Sequence, residues 1–235
     1  MISQEALRTL ETHQAKFPAL ASTIETVTLQ YKEKMWHEIS STLILYAKDK
    51  TFDADGNTDL LELYENLVKG LSTKLNPIRY ALITILVSRQ HNDIEQSIAF
   101  LDEASTRLEG KRDAQLLCRI AQAEKKLNLG LHHDCLQILN EVKEQIEAAS
   151  DIDPKVIASL AENFAAYYRR KDDQENFYKA SLQFLAYTPP SEMSEEEKRQ
   201  WSIKMGMAVL LGKNIYNISE LVSLRSPLTR FFVAR

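Results

Sequence analysis

Residues 53–57, Asp-Ala-Asp-Gly-Asn, resemble the opening of an EF-hand calcium loop, with oxygen ligands at the first, third and fifth positions. The rest of that pattern is missing. Thr58 stands where the loop requires glycine, and Tyr64 stands where it requires a bidentate carboxylate. We therefore expect a polar turn between two helices, and the sequence leaves weak calcium binding by residues 53–62 open.

A second group of metal-ligand residue types is the run His-His-Asp-Cys at residues 132–135. A tetrahedral zinc site needs four ligands, usually in two well-spaced pairs. No second pair is apparent, because Cys118 is isolated. The remaining histidines are scattered, at His13, His37 and His91. We expect residues 132–135 to form part of a loop and a helix start, and we predict no metal and no other cofactor.

The sequence contains no recognisable catalytic motif. There is no Gly-x-Ser-x-Gly elbow, no Walker loop and no Gly-x-Gly-x-x-Gly, and the six glycines are scattered. The acidic residues fall mostly opposite the apolar positions of predicted helices, where carboxylates are usually solvated. The sequence thus predicts a protein that is not an enzyme.

The charge balance argues against nucleic acid as a partner, and the short aliphatic runs argue against a membrane. The chain has 29 basic and 33 acidic residues, a net charge of −4 and no basic stripe, whereas nucleic-acid binders usually carry a basic excess. The longest aliphatic run, residues 81–87, is far shorter than the roughly 20 residues of a membrane span. The start of the chain does not resemble a signal peptide, and two cysteines suit a reducing compartment. We expect a soluble intracellular protein.

The positions of apolar residues predict an all-α fold. Glycine and proline number only six each in 235 residues, too few for the many tight turns of a β-rich fold. Apolar residues recur at three- and four-residue spacing, which is typical of amphipathic helices. These predicted helical faces cover residues 20–31, 36–46, 60–71, 80–86, 94–108, 116–127, 136–146, 157–167, 177–187 and 201–210.

Weak internal repetition predicts how these helices are organised. Leu101-Asp102-Glu103 matches Leu139-Asn140-Glu141, which begins 38 residues later. Such a period, with two helices per unit, is typical of tetratricopeptide or HEAT solenoids. We therefore predict a right-handed solenoid of degenerate helical hairpins. Its three predicted parts are an N-terminal bundle at 1–90, tetratricopeptide-like repeats at 91–212, and a turn, short helix and tail at 213–235.

Three collinear segments carry a family resemblance. Residues 210–221, Leu-Leu-Gly-Lys-Asn-Ile-Tyr-Asn-Ile-Ser-Glu-Leu, resemble a Leu-Leu-Gly…Tyr-Asn-Phe-Gly-Glu-Leu-Leu segment of the 26S proteasome non-ATPase regulatory subunit 13 type, a family of lid subunits with a C-terminal PCI domain. Residues 177–185 and 31–40 resemble two further segments of that family. Ile218 and Ser219 depart from the family's Phe-Gly pair, and the chain ends where the PCI module of the family would begin.

The resemblance implies a structural function. A lid subunit of this type would help to hold the deubiquitinating and ubiquitin-receptor subunits over the ATPase ring during ATP- and ubiquitin-dependent protein degradation. It implies hetero-oligomeric binding to other lid subunits, including a neighbouring PCI subunit and a ubiquitin receptor, and a location in cytoplasm and nucleus. The residues that match the family motif, and that we expect to be structural, are Gly212, Tyr216, Asn217, Glu220 and Leu221.

Two alternatives remain open at this point. The chain could be a helical-repeat subunit of another PCI assembly, either the COP9 signalosome or the translation-initiation scaffold. It could also be a free-standing adaptor that binds a short peptide, in which case lysines and asparagines should line a concave face. The pairs Tyr167-Tyr168 and Phe177-Tyr178 could belong to such a peptide groove, although aromatic residues at helical spacing more often pack repeats together.

Overall fold

The computed structural model describes residues 3–52, 56–189, 191 and 193–212. All the regular secondary structure in these residues is helical, with eleven α-helices and several short 3-10 segments. The prediction of an all-α, helical-repeat fold is confirmed. The predicted short helix and tail at 213–235 lie outside the described residues, as do Asp53 and Asp55 of the acidic loop.

The chain divides into two compact units, Met1–Lys125 and Lys126–Arg235. Both units are built from helices joined by short connections. The predicted division at residue 90, which was drawn from repeat spacing, and the right-handed sense of the solenoid stay predictions.

The first unit contains helices α1 to α6 and most of α7. Their bounds are α1 Gln4–Lys16, α2 Ala21–Lys32, α3 Trp36–Ala47, α4 Asp59–Leu63, α5 Pro77–Val87, α6 Ile94–Arg107 and α7 Arg112–Asn128. In this unit α1 packs on α2, α2 on α3, and α3 on α5. The apolar periodicity did not predict α1, because the four residues that it buries include the polar Thr9 and His13.

Side-chain caps fix several of the helix starts. Asn76 accepts hydrogen bonds from the backbone amides at the start of α5, and Pro77 occupies the first helical position, where its missing N–H costs nothing. Asp93 caps α6 in the same way. The Asn-Pro pair therefore marks the start of α5.

The predicted helix at residues 60–71 is a composite. Its α-helical part, α4, runs directly into a π-helical segment, Tyr64–Val68, and then into a 3-10 turn, Lys69–Leu71. The predicted apolar face is nevertheless buried at Leu60, Leu63 and Leu67. The π turn places Tyr64 so that its hydroxyl lies 2.6 Å from that of Tyr80 on α5, both within the core. An unusual helical turn therefore completes a buried hydrogen bond.

The second unit contains α8 His132–Glu147, α9 Pro154–Arg170, α10 Gln174–Tyr187 and α11 Glu195–Leu211. Helices α9 and α10 form an extensive pair, with α8 against α9 and α11 against α10. Trp201 of α11 stacks on Phe184 of α10, with ring centroids 4.8 Å apart, and lies nearly parallel to Phe177 at 6.4 Å. These rings join α10 to α11 over a layer of small residues that includes Ala161 and Ala165.

The start of α11 is a complete capping box. Ser194 accepts a hydrogen bond from the Glu197 amide, and the Glu197 carboxylate accepts one from the Ser194 amide. The helix ends before Gly212, which has φ −75° and ψ 127°. The chain thus leaves α11 in an extended conformation that any residue could adopt, not in the left-handed turn of a glycine cap. None of the described helices is long and apolar enough to cross a lipid bilayer.

Candidate protein-binding surface

Helices α8, α9 and α10 form a groove of about 270 Å³ in the second unit. Helix α9 provides its apolar floor, whereas α8 and α10 contribute mostly polar walls. The lining residues are Asn140, Lys143, Ile146, Glu147, Ile157, Leu160, Phe164, Tyr168, Asn176, Lys179, Ala180 and Gln183. Facing helices of a repeat protein commonly form such a concavity.

Two aromatic rings pack together on the floor of the groove. Phe164 and Tyr168 lie one helical turn apart on α9, and their rings stack with centroids 6.0 Å apart and planes inclined by 16°. Tyr168 is also in edge contact with Tyr167. Partial burial raises the pKa of Tyr168, and the nearby carboxylate of Asp173 raises it further. The Tyr168 hydroxyl therefore stays protonated and can donate a hydrogen bond to a bound chain.

The walls carry two ammonium groups that remain accessible. Lys143 lies 3.7 Å from Glu147 and Lys179 lies 2.8 Å from Glu175, both at i,i+4 spacing, with side chains 55% and 64% exposed. The hydrogen bond from Lys179 to Glu175 raises the lysine pKa. Exposed ion pairs of this kind contribute little to stability, so both lysines can exchange their carboxylate partners at little cost.

One asparagine of the groove is fixed by its own helix start. Asp173 caps α10, accepting at Oδ1 from the Asn176 amide (3.0 Å) and at Oδ2 from the Asn176 side-chain nitrogen (2.7 Å). The Asn176 carboxamide is therefore held in one orientation before any partner binds. Preorganisation of this kind reduces the entropy cost of binding.

Four of the groove residues belong to a short motif that occurs twice in the sequence. Asn140 and Lys143 on α8 have the same Asn-x-x-Lys spacing as Asn176 and Lys179 on α10, 36 residues later. Residues three apart lie on one face of a helix. That repetition, close to the period of the helical hairpins, is the sequence signal that could have identified these four residues.

The two aromatic pairs singled out in the sequence have different environments. Phe177 and Tyr178 are buried and belong to the core around Met205, so the packing interpretation is confirmed for them. Tyr167 is also nearly buried, in contact with the ring of His132. Of these four aromatic residues, Tyr168 is the one that lines the groove.

Helix α11 carries apolar residues on two sides. Met205 and Ala208 are buried against α10, whereas the outer side is exposed at Ile203, Met207, Leu210 and Leu211. Gly212 follows directly. The other family-motif residues, Tyr216, Asn217, Glu220 and Leu221, lie outside the described residues, so their predicted structural role stays a prediction.

The ligand-type residues at 132–135 form the start of α8, as expected, and point to different surroundings. His133 is 91% exposed, Asp134 lies 3.3 Å from Lys126, and Cys135 is buried. Burial raises the pKa of Cys135 to about 11 and that of Cys118 to about 12. Both thiols are free and protonated at neutral pH, so neither is an activated nucleophile.

Comparison with known protein families adds what the geometry alone does not give. The family model for PSD13 N-terminal repeats matches residues 23–226, which is most of the chain. The chain belongs to this family. The match begins at residue 23, within α2, covers α3 to α11 and continues into residues 213–226.

The relatives of the chain have proteasome names. Over 223 residues it is 28% identical to the 26S proteasome non-ATPase regulatory subunit 13 homolog A of Arabidopsis thaliana, covering 93% of this chain and 57% of the relative. It is 25% identical over 227 residues to subunit 13 of Dictyostelium discoideum, covering 95% and 58%. It is 24% identical over 220 residues to the 26S proteasome regulatory subunit RPN9 of Saccharomyces cerevisiae, covering 87% and 55%. The chain thus spans little more than half the length of these relatives.

Proposed function

We propose that this chain is a non-catalytic scaffold subunit of the 26S proteasome regulatory-particle lid, acting in ATP- and ubiquitin-dependent protein degradation by binding neighbouring subunits. The observation that carries the proposal is the family match over residues 23–226, together with relatives that are named as proteasome regulatory subunits. Location in cytoplasm and nucleus is part of the same proposal.

The α8–α10 groove is the surface that we assign to one neighbouring subunit. Its occupant is an extended segment with carboxylate groups, because Lys143 and Lys179 are accessible cations and the lining amides can pair with a peptide backbone. The stacked floor of Phe164 and Tyr168 provides apolar contact for the same segment. An apolar floor with a few placed polar groups suits a peptide.

Affinity purification tests the assembly. The tagged chain is isolated from native extract at moderate salt, and the bound proteins are identified by mass spectrometry. We expect stoichiometric lid and ATPase subunits. Recovery of the COP9 signalosome or the translation-initiation scaffold in their place would refute the proteasome assignment.

Charge reversal in the groove tests the surface. Lys143→Glu and Lys179→Glu should each reduce the recovery of the groove's partner about tenfold, since a like charge would replace an attractive one near the centre of the contact. Lys155→Glu, an exposed lysine of α9 outside the groove lining, is the matched control and should leave recovery unchanged. Equal recovery with all three variants would remove the groove from the interface.

A free-standing peptide adaptor is the second candidate. The lysines and asparagines in one concave groove favour it, because these are the side chains that a carboxylate-binding adaptor uses. Peptide binding and recovery from extract distinguish the two candidate functions. An adaptor would bind isolated acidic peptides and return from extract without lid or ATPase subunits.

A further inference from the structure

Three potential metal ligands converge in the first unit, far from the groove in sequence. His13 near the end of α1 and Asp59 and Glu62 of α4 each place one ligand atom within 4.8 Å of the other two. In the sequence His13 stands apart from these carboxylates, because Asp59 lies 46 positions later. Asp59 and Glu62 are three residues apart and share one face of α4.

His13 is buried, and its two ring nitrogens have different surroundings. Its side chain is 1% exposed, and Nε2 makes no well-formed hydrogen bond among the described residues, although the ring also interacts with the backbone of Asp59. Nδ1 lies 2.9 Å from the Tyr46 hydroxyl. Metal-ligating histidines typically use the second ring nitrogen in such a bond, which fixes the tautomer and the ring orientation. An unpaired buried polar atom is otherwise costly.

Aromatic packing surrounds the His13 ring. Phe17 contacts the His13 ring edge-on at 5.8 Å, and the Tyr46 ring lies at 6.1 Å. These contacts hold the imidazole in place beside the two carboxylates.

The two carboxylates supply negative charge and one adjustable arm. Asp59 is half-buried and its amide donates to Asn57, which fixes the start of α4. Glu62 is exposed and can rotate inward. In a tetrahedral site with bonds of about 2.1 Å, ligand atoms lie about 3.4 Å apart, so the separations of up to 4.8 Å must shorten by up to about 1.4 Å. Lys16 donates to Asp59 Oδ1 at 2.6 Å with a side chain that is 56% exposed, and it can withdraw into solvent.

We propose that His13, Asp59 and Glu62 form a binding site for a divalent transition-metal ion of the Zn²⁺ class. One imidazole and two carboxylates are a donor set that Zn²⁺ accepts with water at the remaining position. Ca²⁺ and Mg²⁺ prefer oxygen ligands alone. The site therefore differs in chemistry from a calcium loop at residues 53–62, although Glu62 lies within both.

The bound ion would link two elements that are distant in sequence. His13 belongs to α1, whereas Asp59 and Glu62 belong to α4, which follows the acidic loop. Because the complete site exists only in the folded chain, metal binding would stabilise the packing of α1 on α4. The proposal does not depend on assembly into the proteasome.

Zinc binding to the purified full chain tests the site. After removal of metals by chelation, Zn²⁺ is titrated in competition with a chromophoric chelator, and Co²⁺ is used as a spectroscopic substitute. We expect one Zn²⁺ per chain, no displacement by excess Ca²⁺ or Mg²⁺, and Co²⁺ absorption bands of a site with nitrogen and oxygen ligands. Absence of Zn²⁺ binding at equimolar protein and metal would overturn the proposal.

Conservative variants locate the ion. Asp59→Asn and Glu62→Gln should each weaken Zn²⁺ binding by at least about tenfold. Glu65→Gln, the same change on an exposed carboxylate one residue beyond Tyr64, should leave the affinity unchanged, as should His133→Gln on the exposed histidine of α8. Affinity that falls with His133→Gln and not with Glu62→Gln would place the ion elsewhere and overturn the assignment.

Tyr46→Phe tests the positioning role of the tyrosine without removing a ligand. We expect a fall of about tenfold in affinity with the stoichiometry preserved. Far-UV circular dichroism confirms that each variant is folded. The combination of a folded Glu62→Gln variant with unchanged affinity would contradict the site.

Discussion

The packing of Phe184 between α9 and α11 gives a prediction that can be worked out from the structure. Its side chain is 8% exposed and fills a site formed by Ala158, Ala161 and the stacked Trp201. The alanines are backbone-anchored parts of α9 that cannot move in to fill a void. Truncation should therefore leave most of its cavity open. We expect Phe184→Ala to lower the free energy of unfolding of the second unit by about 4 kcal/mol, near the middle of the range for buried Phe→Ala changes.

The two tryptophans of the chain allow this loss to be measured in one unit. In a Trp36→Phe background, Trp201 is the remaining tryptophan, so its fluorescence during urea denaturation reports on the second unit alone. Phe184→Leu, which retains most of the apolar volume, is the control and should cost less than about 1.5 kcal/mol. A cost below about 1 kcal/mol for Phe184→Ala would refute the packing argument, because it falls well short of the transfer and cavity costs of a buried aromatic ring.

Three further predictions concern local features. Ser194→Ala removes the capping box of α11 and should cost about 1 kcal/mol by the same fluorescence measurement; no change would show that the cap is dispensable. Gly130 has φ +78° with nothing near its Cβ position, so Gly130→Ala should destabilise by about 1 kcal/mol through backbone strain alone, and equal stability in thermal melts would contradict that geometry. Cys118 and Cys135, whose pKa values burial raises to about 12 and about 11, should not react with Ellman's reagent at pH 8 until the protein is unfolded; prompt reaction of either native thiol would show that it is accessible.

Local sequence signals indicate a helix start where the start depends only on neighbouring residues. The Asn76-Pro77 start of α5 and the capping box at Ser194 depend on residues adjacent in sequence, and both are present. Helix α1 was missed because it buries Thr9 and His13 as well as Leu10, which weakens the apolar period. The sequence did not predict the π turn at Tyr64–Val68 either. This turn accompanies a hydrogen bond between Tyr64 and Tyr80, which is a tertiary contact that no local pattern specifies.

The two candidate sites depend on contacts that no local pattern specifies. The groove joins three helices, and its only sequence trace is the repeated Asn-x-x-Lys of α8 and α10. The cluster of His13 with Asp59 and Glu62 requires α1 to pack near α4, and that packing brings together residues distant in sequence. The family resemblance predicted the class of protein correctly. Four of its five motif residues lie beyond the described residues, so the motif stays a prediction.

The central claim is that this chain is a component of the proteasome regulatory particle. The most direct test purifies 26S proteasomes from native extract through a tag on the proteolytic core and quantifies this chain by mass spectrometry against known regulatory-particle subunits. We predict about one copy for each regulatory particle, retained at moderate salt. Proteasomes that contain intact lids but lack this chain would contradict the account.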